Sequence, residues 1–321
     1  MKYYLGIDLG GTNITAGVVD ENCNLVFRFS EKTPQNKPVK ETVAFIANTA
    51  KKAIELNSMK ISDMEAIGIA APGIINPNTS IVVNASNLNW HNVPLFEELK
   101  PYFDIPLYIG NDADCAALGE TLAGAAKDHN NVIMVTLGTG IGGGIIMDKK
   151  IFCGADGMGA EIGHTKLVYG GVKCACGQFG CFEAYGSATA LIRQTRQAIA
   201  DNPESMMAKE FAFKQEKIDA KTCFNFAAKK DAAAIEVINS YVSYLAAGIS
   251  TLVALFRPEV VIIGGGVSNA GDKLIKPLNK KLCTLTFAAG EIGVPPVIRA
   301  ALGSNAGIIG AAMLPLHSIK D

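Results

Sequence analysis

Residues 4–19, YLGIDLGGTNITAGVV, read as two apolar strands joined through Gly10, Gly11, Thr12 and Asn13. Residues 132–147, VIMVTLGTGIGGGIIM, follow the same plan: an apolar strand, a Gly/Thr turn, a second apolar strand and a closing aspartate, Asp148 where the first copy has Asp20. The repeat predicts two related α/β halves. Between and after the hairpins, residues 39–57 carry a helical stripe of apolar positions, 66–71 and 106–109 read as short buried strands, and a helix is expected from about 112 to 126. Helices follow at about 184–200, 220–230 and 231–256, the last with Asp231 as its cap. A strand at 260–263 then runs into Gly264-Gly265-Gly266, and a final helix begins near 304–307.

A chain of 321 residues is longer than single cores usually grow, which favours two domains with a cleft between them. With 49% hydrophobic residues, 18% charged residues and 33 glycines, the composition is that of a well-buried α/β enzyme rather than a disordered or fibrous chain. A net charge of −1 gives no reason to expect nucleic acid or an anionic membrane as partner. No secretory leader is legible at the amino terminus, and the apolar run at 245–256 is too short to span a bilayer, so a soluble, cytoplasmic protein is expected.

Both glycine turns suit anion binding, because bare backbone lets N–H groups approach closely and Thr12 or Thr139 adds a hydroxyl. Asp8, at the end of the first strand, is placed to hold Mg²⁺ through water. The second turn, Gly138-Thr139-Gly140, sits at the equivalent place in the repeat, so that the two could clamp successive phosphates of one nucleotide. A dinucleotide fold needs its glycines to open a helix; here an apolar strand follows each run, which excludes an NAD reading. Gly265 and Gly266, after a buried strand, form a third close-approach point, with a nucleoside as its simplest occupant.

Residues 161–183, EIGHTKLVYGGVKCACGQFGCFE, hold four metal-ligand side chains between two carboxylates. His164, Cys174, Cys176 and Cys181 are spaced H-x9-C-x-C-x4-C, and three thiolates with one imidazole make the closed tetrahedral set of a structural zinc. A disulfide is the alternative, disfavoured because Cys174 and Cys176 are too close to pair. The other five cysteines, Cys23, Cys115, Cys153, Cys223 and Cys283, read as buried thiols in a reducing compartment. Asn111-Asp112 stands where a strand meets a helix, and Asp112 is either that helix's cap or a general base that takes a proton from an alcohol. Trp90, after Asn87-Leu88-Asn89, is either a core residue or the wall of a sugar pocket.

Taken together, these residues resemble the ROK family of sugar kinases, and the likeness runs end to end. It is carried by DLGGTN at 8–13, APG at 71–73, NDA at 111–113, LGTGIGGG at 137–144, EIGH at 161–164, CACGQFGCFE at 174–183, GGGVS at 264–268 and LGSNAGIIGAA at 302–312. The cysteine block looks most like that of bacterial glucokinases. The resemblance implies the actin-like (ribonuclease-H-like) duplicated two-domain fold with a central cleft. It divides the chain into a smaller domain of residues 1–112 plus about 302–321 and a larger one of about 113–301 that carries the zinc loop.

The resemblance further implies an ATP-dependent hexose kinase acting on the sugar 6-hydroxyl, with glucose as substrate. N-acetylglucosamine, N-acetylmannosamine, mannose or fructose are the alternatives, and polyphosphate remains open as donor. Asp112 would be the base; Asn87, Asn111, Glu161, His164 and Glu183 would hold the sugar, His164 through the ring nitrogen not on zinc. Asp8, Gly10, Gly11, Thr12, Asn13, Gly138, Thr139 and Gly140 would face Mg²⁺ and phosphates, with Gly265 and Gly266 near the nucleoside. Asp114, two residues from Asp112, stands where many family members have another residue, and would disturb the base if it shared the cleft. The family also contains sugar-responsive repressors, which carry a DNA-binding domain before the DxGGT strand where this chain has seven residues. A non-catalytic sugar sensor is the other alternative, and a homo-oligomer, a dimer, is the expected assembly.

Overall fold

The computed structural model describes residues 1–76 and 79–317. Its strands are β1 (Tyr3–Leu9), β2 (Asn13–Asp20), β3 (Leu25–Lys32), β4 (Met64–Ala71), β5 (Ile74–Asn76), β6 (Ile81–Ala85), β7 (Trp90–Val93), β8 (Leu107–Asn111), β9 (Val132–Leu137), β10 (Ile141–Met147), β11 (Lys150–Phe152), β12 (Val260–Gly264) and β13 (Val297–Arg299). One five-stranded sheet has the order β3-β2-β1-β4-β8 and another the order β11-β10-β9-β12-β13, with a small sheet β5-β6-β7 besides. The two large sheets share one plan, three consecutive strands followed by two that arrive later in the chain. The repeat read from residues 4–19 and 132–147 is therefore a repeat of topology.

In the first sheet β1 pairs antiparallel with β2, from Tyr3↔Asp20 to Leu9↔Ile14, and β2 antiparallel with β3. β4 lies parallel to β1, and β8 parallel to β4. A parallel neighbour needs a crossover, and the helix Val39–Leu56 supplies it, burying Val43, Ile46, Ala47, Ala50 and Ile54 in the core. The sheet also carries the helix Ala306–His317, and Gly6 and Gly68 explain how closely. A Cβ on Gly6 would collide with the carbonyl of Ile308, and one on Gly68 with that of Ala311. Backbone touches backbone at both places, so only glycine fits.

The chain forms two compact units. The first comprises residues 1–133, 143–160 and 301–321, the second residues 134–142 and 161–300. The helix Asp112–Leu122, placed at the start of the larger domain in the sequence reading, clusters with the first unit because it packs on Ala306–His317; a Cβ on Gly310 would collide with the carbonyl of Cys115. Glu120, fully buried, fastens the same region by accepting from the amides of Ala301 (3.0 Å) and Leu302 (2.7 Å).

In the second unit Phe182 is fully buried against Gly186 and Gly248, and the hydroxyl of Tyr241 donates to the carbonyl of Gly186 at 2.6 Å. The helix Ala232–Phe256 begins at Asp231, whose side chain accepts from the amide of Ala234, as its sequence predicts. It is the one helix among the described residues long and apolar enough to cross a membrane, but 56% of its most apolar window is buried in the fold, as in a core helix.

Three local expectations change. The helix at 112 ends at Leu122. The helix expected at 184–200 breaks at Ser187, whose extended backbone and side chain cap a new helix, Ala188–Asp201, through the amide of Ala190 at 3.1 Å. Of the five scattered cysteines, Cys115 and Cys223 are buried, whereas Cys23 and Cys153 are half-buried and Cys283 is exposed.

Candidate active site and metal centre

In the first unit, Asp8 lies on β1 between Thr15 of β2 and Ala70 of β4. The turn beyond it is fastened by its carbonyls. The amide of Gly10 donates to Asn13 (3.0 Å), that of Thr33 to Thr12 (2.9 Å), the Thr33 hydroxyl to Gly10 (2.6 Å), and the Gln35 amide group to Gly11 (2.7 Å). Thr12 and Asn13 remain exposed. Asn87 belongs to the same corner, since a Cβ on Gly11 would stand 3.1 Å from the Asn87 Cβ.

Asn111 resolves the question of the cap. Its side-chain oxygen accepts from the amides of Ala113 (2.8 Å) and Asp114 (3.3 Å), and its amide group donates to the carbonyl of Gly73 (2.8 Å). Asn111 is therefore the cap, largely occupied in building the site, and Asp112 is the first helical residue, with its Oδ1 accepting from Ala113 at 2.8 Å. Asp112 also stands close enough to Asp8 for their charges to interact. Burial, and then the negative charge of Asp112, push the Asp8 carboxyl up to about 6, while Arg28 acts in the opposite sense. The two carboxylates thus stand close together, and the charge of one holds back the ionisation of the other. Trp90 is buried in the core.

In the second unit, His164, Cys174, Cys176 and Cys181 offer ligand atoms that all lie within 4.8 Å of one another. The Cys176 and Cys181 sulfurs are 3.7 Å apart, and the Cys174 sulfur is 3.9 Å from His164 Nδ1. Two sulfurs bound at roughly 2.3 Å to one tetrahedral ion stand about 3.8 Å apart, whereas a disulfide needs about 2.05 Å. The donor set and its spacing fit a metal ion. Gly170, Gly177 and Gly180 all have positive φ, which lets the chain turn tightly enough to gather the four. Burial pushes the Cys174 thiol up to about 12, so metal binding has to displace its proton. A backbone hydrogen bond with Gln178 acts the other way on Cys176, whose pKa is lowered.

Glu183 connects this knuckle to the second glycine turn. Its Oε2 accepts from the amide of Ile141 at 3.0 Å, and its Oε1 lies 3.1 Å from the Cys174 sulfur. A Cβ on Gly140 would collide with that carboxylate, and one on Gly163 with the carbonyl of Ile141, so EIGH and the turn pack together. Glu161 is exposed at the head of the short turn Ile162–His164.

Gly138 and Thr139 border a pocket of about 470 Å³ that also takes in Gly266, Lys221, Asn225 and Lys273. A Cβ on Gly266 would touch nothing, whereas Gly265, at φ +77°, packs its backbone onto that of Leu137. Gly265 therefore serves the fold, and Gly266 leaves room for a ligand. Lys221, Asn225 and Lys273 were not singled out from the sequence. They come from segments some fifty residues apart with no motif of their own, and only the fold of this unit places them with Gly138.

The model of the ROK family matches residues 4–317. A glucokinase of Halalkalibacterium halodurans is 35% identical over 314 residues, which cover 98% of this chain and 94% of that protein. A ROK family glucokinase from Streptomyces griseus, crystallised in complex with glucose and AMPPNP, is similar in structure with a TM-score of 0.77 at 34% identity, covering 97% of this chain and 98% of that one. The xylose repressor of Bacillus subtilis is 26% identical over 320 residues, 99% of this chain and 78% of the repressor. The two sheets of one plan are thus the duplicated core of the actin-like, ribonuclease-H-like fold that the sequence resemblance implied. Matched along nearly its whole length, with its glycine turns, Asn111-Asp112 and metal knuckle in place, the chain belongs to the ROK family.

Proposed function

We propose that the protein is an ATP-dependent glucose kinase that phosphorylates the sugar 6-hydroxyl. The observation that carries this reading is the likeness to glucokinases over 98% of the chain, together with Asp112 at a strand–helix junction where Asn111 does the capping. Asp112 takes the proton of the 6-hydroxyl as the oxygen attacks the γ-phosphorus of ATP. The new O–P bond forms as the bond from phosphorus to the ADP oxygen breaks, and the proton leaves on Asp112. Such transfer depends chiefly on positioning and charge neutralisation. Asp8, Gly10, Gly11, Thr12, Asn13, Gly138, Thr139 and Gly140 are assigned to the phosphates and their metal, with Gly266 and the pocket about it taking the nucleoside. Mg²⁺, held through Asp8, would supply the positive charge that the transferred phosphoryl group needs.

Asn87, Asn111, Glu161, His164 and Glu183 are assigned to the sugar hydroxyls. The knuckle is assigned to zinc, which His164, Cys174, Cys176 and Cys181 would hold; four protein ligands would leave no open position for a reactive water, so the metal would serve to fix His164 and its neighbours. We place the enzyme in the cytoplasm, as a homodimer supplying phosphorylated glucose to glycolysis; light scattering on the purified protein tests the dimer.

The decisive experiment mixes protein, Mg²⁺-ATP and a panel of hexoses and N-acetylhexosamines and follows ADP release. Glucose turning over fastest, far above an Asp112→Asn control, is expected. Sugar binding with no ADP release from any of them would replace the kinase by a sensor, the reading that the repressor match favours.

A further inference from the structure

The turn at Gly138-Thr139-Gly140 has two glycines and an exposed threonine, a composition that by itself allows many backbone shapes. It is held in one shape from outside, by the segment that follows the last cysteine of the knuckle. The amide of Ala188 donates to the carbonyl of Gly138 at 2.8 Å, the hydroxyl of Thr189 donates to the carbonyl of Thr139 at 2.8 Å, and Glu183 accepts from the amide of Ile141 at 3.0 Å. Within the turn, the amide of Gly138 donates to the carbonyl of Gly140 at 3.0 Å. Each bond from the 183–189 segment restrains a different peptide group.

The orientation that results follows from the planarity of the peptide. In a trans peptide the C=O and N–H point in opposite directions. Drawing the carbonyls of Gly138 and Thr139 toward residues 188 and 189 turns the N–H groups of Thr139 and Gly140 the other way, as neighbouring donors. Successive N–H groups presented together make an anion-binding concavity. Ala188 and Ser187 are fixed by the helix that Ser187 caps, and Thr189 is the second residue of that helix, so the clamp rests on regular structure. The Thr189 hydroxyl is the one member of the clamp that is a side chain with no other assignment: Ala188 acts through its backbone, and Glu183 is spoken for by the sugar and by Cys174.

We propose that Thr189 is a positioning residue for the nucleotide, its hydroxyl setting the turn at 138–140 in the shape that presents amides to the phosphates. The inference rests on the reading that this turn serves the phosphates of ATP, and it names a residue that the motifs do not contain. Thr189 acts through the Thr139 carbonyl.

The test compares wild type, Thr189→Val and Thr189→Ser by calorimetric titration with MgADP and, separately, with glucose, alongside thermal unfolding. Valine keeps the shape and removes the hydroxyl; serine restores it. Losing one such hydrogen bond should weaken MgADP binding roughly two- to twelvefold in Thr189→Val. Thr189→Ser should return to within about twofold of wild type, while glucose affinity and melting temperature stay near wild type in both. Where turnover is measured, the KM for ATP should rise more than kcat falls. Thr189→Val binding MgADP as wild type does would overturn the proposal, and so would parallel losses of MgADP affinity, glucose affinity and melting temperature, which mark a purely structural role. MgADP binding needs no acceptor sugar, so this comparison can be read even if no hexose is phosphorylated, and the two failures are distinguishable.

Discussion

Replacing Asp8 by asparagine should stabilise the protein while disabling it, and the pH dependence of the gain carries the argument. Burial and the neighbouring charge of Asp112 raise the folded-state pKa of Asp8 from 3.8 to about 6. Because the folded carboxyl holds its proton to higher pH than the unfolded one, stability falls as pH rises through the window from 3.8 to about 6, and the whole cost is present above it. A displacement of about two units at 1.36 kcal/mol each amounts to roughly 3 kcal/mol at pH 7.5. At pH 5, inside the window, roughly half of that applies, and below 3.8 it vanishes. Asparagine has no charge to bury and removes the cost.

For a unit of this size each kcal/mol moves the melting temperature by about 2–4 °C, so Asp8→Asn should melt roughly 6–12 °C higher than wild type at pH 7.5. At pH 5 the gain should be about half as large. Differential scanning calorimetry at the two pH values reads this directly, with no nucleotide or Mg²⁺ added. Asp112→Asn gives an internal control, since losing that charge should lower the Asp8 pKa and shrink the pH-dependent part. A variant that melts below wild type at pH 7.5, or gains equally at both pH values, would refute the reasoning. The same variant should phosphorylate glucose poorly, the usual trade of a strained functional group against stability.

Asp112→Asn itself should lower kcat by roughly 10²- to 10⁴-fold without loss of melting temperature at pH 7.5, because Asn111 keeps the cap and Asp8 is relieved of a like-charged neighbour; steady-state kinetics beside a thermal melt measure both. Metal analysis of active protein should find about one zinc per chain, and Cys176→Ser should lose it. Structural zinc in small domains contributes on the order of 10 kcal/mol of local folding, so proteolysis should then cut within residues 164–181, and metal-free protein that resists it would refute the role. Gly310→Ala should destabilise by about 1–3 kcal/mol or more in chemical denaturation, since its new methyl meets the Cys115 carbonyl; an unchanged midpoint would mean that the two helices are less close than the structure places them.

Both hairpins were legible from their apolar runs and turn residues alone, and with them the two related α/β halves, whereas β3, β11 and β13, which complete the two sheets, were not. Each hairpin is built from neighbours in sequence, so apolar runs and punctuation suffice. His164, Cys174, Cys176 and Cys181 were legible for a similar reason: four ligands within eighteen residues need only tight turns to meet, and the glycines that permit those turns lie among them. The break at Ser187 was missed because one helix was read through 184–200, although serine is a favoured helix cap and here accepts from the amide of Ala190.

By itself the sequence determined which residue types are present at strand ends and turns: Asp8, Asn111-Asp112, the two glycine turns and the knuckle. It did not determine their states or their company. That Asn111 and not Asp112 caps the helix, that Asp8 holds its proton to about 6, that Lys221 and Lys273 border the pocket at Gly138, and that Thr189 and Glu183 hold the turn at 138–141 follow only from tertiary structure. Periodicity and capping act over a few residues and leave a mark in the sequence. Burial, charge proximity and long-range hydrogen bonds depend on which distant segments the sheets and core bring together, and no local pattern records that.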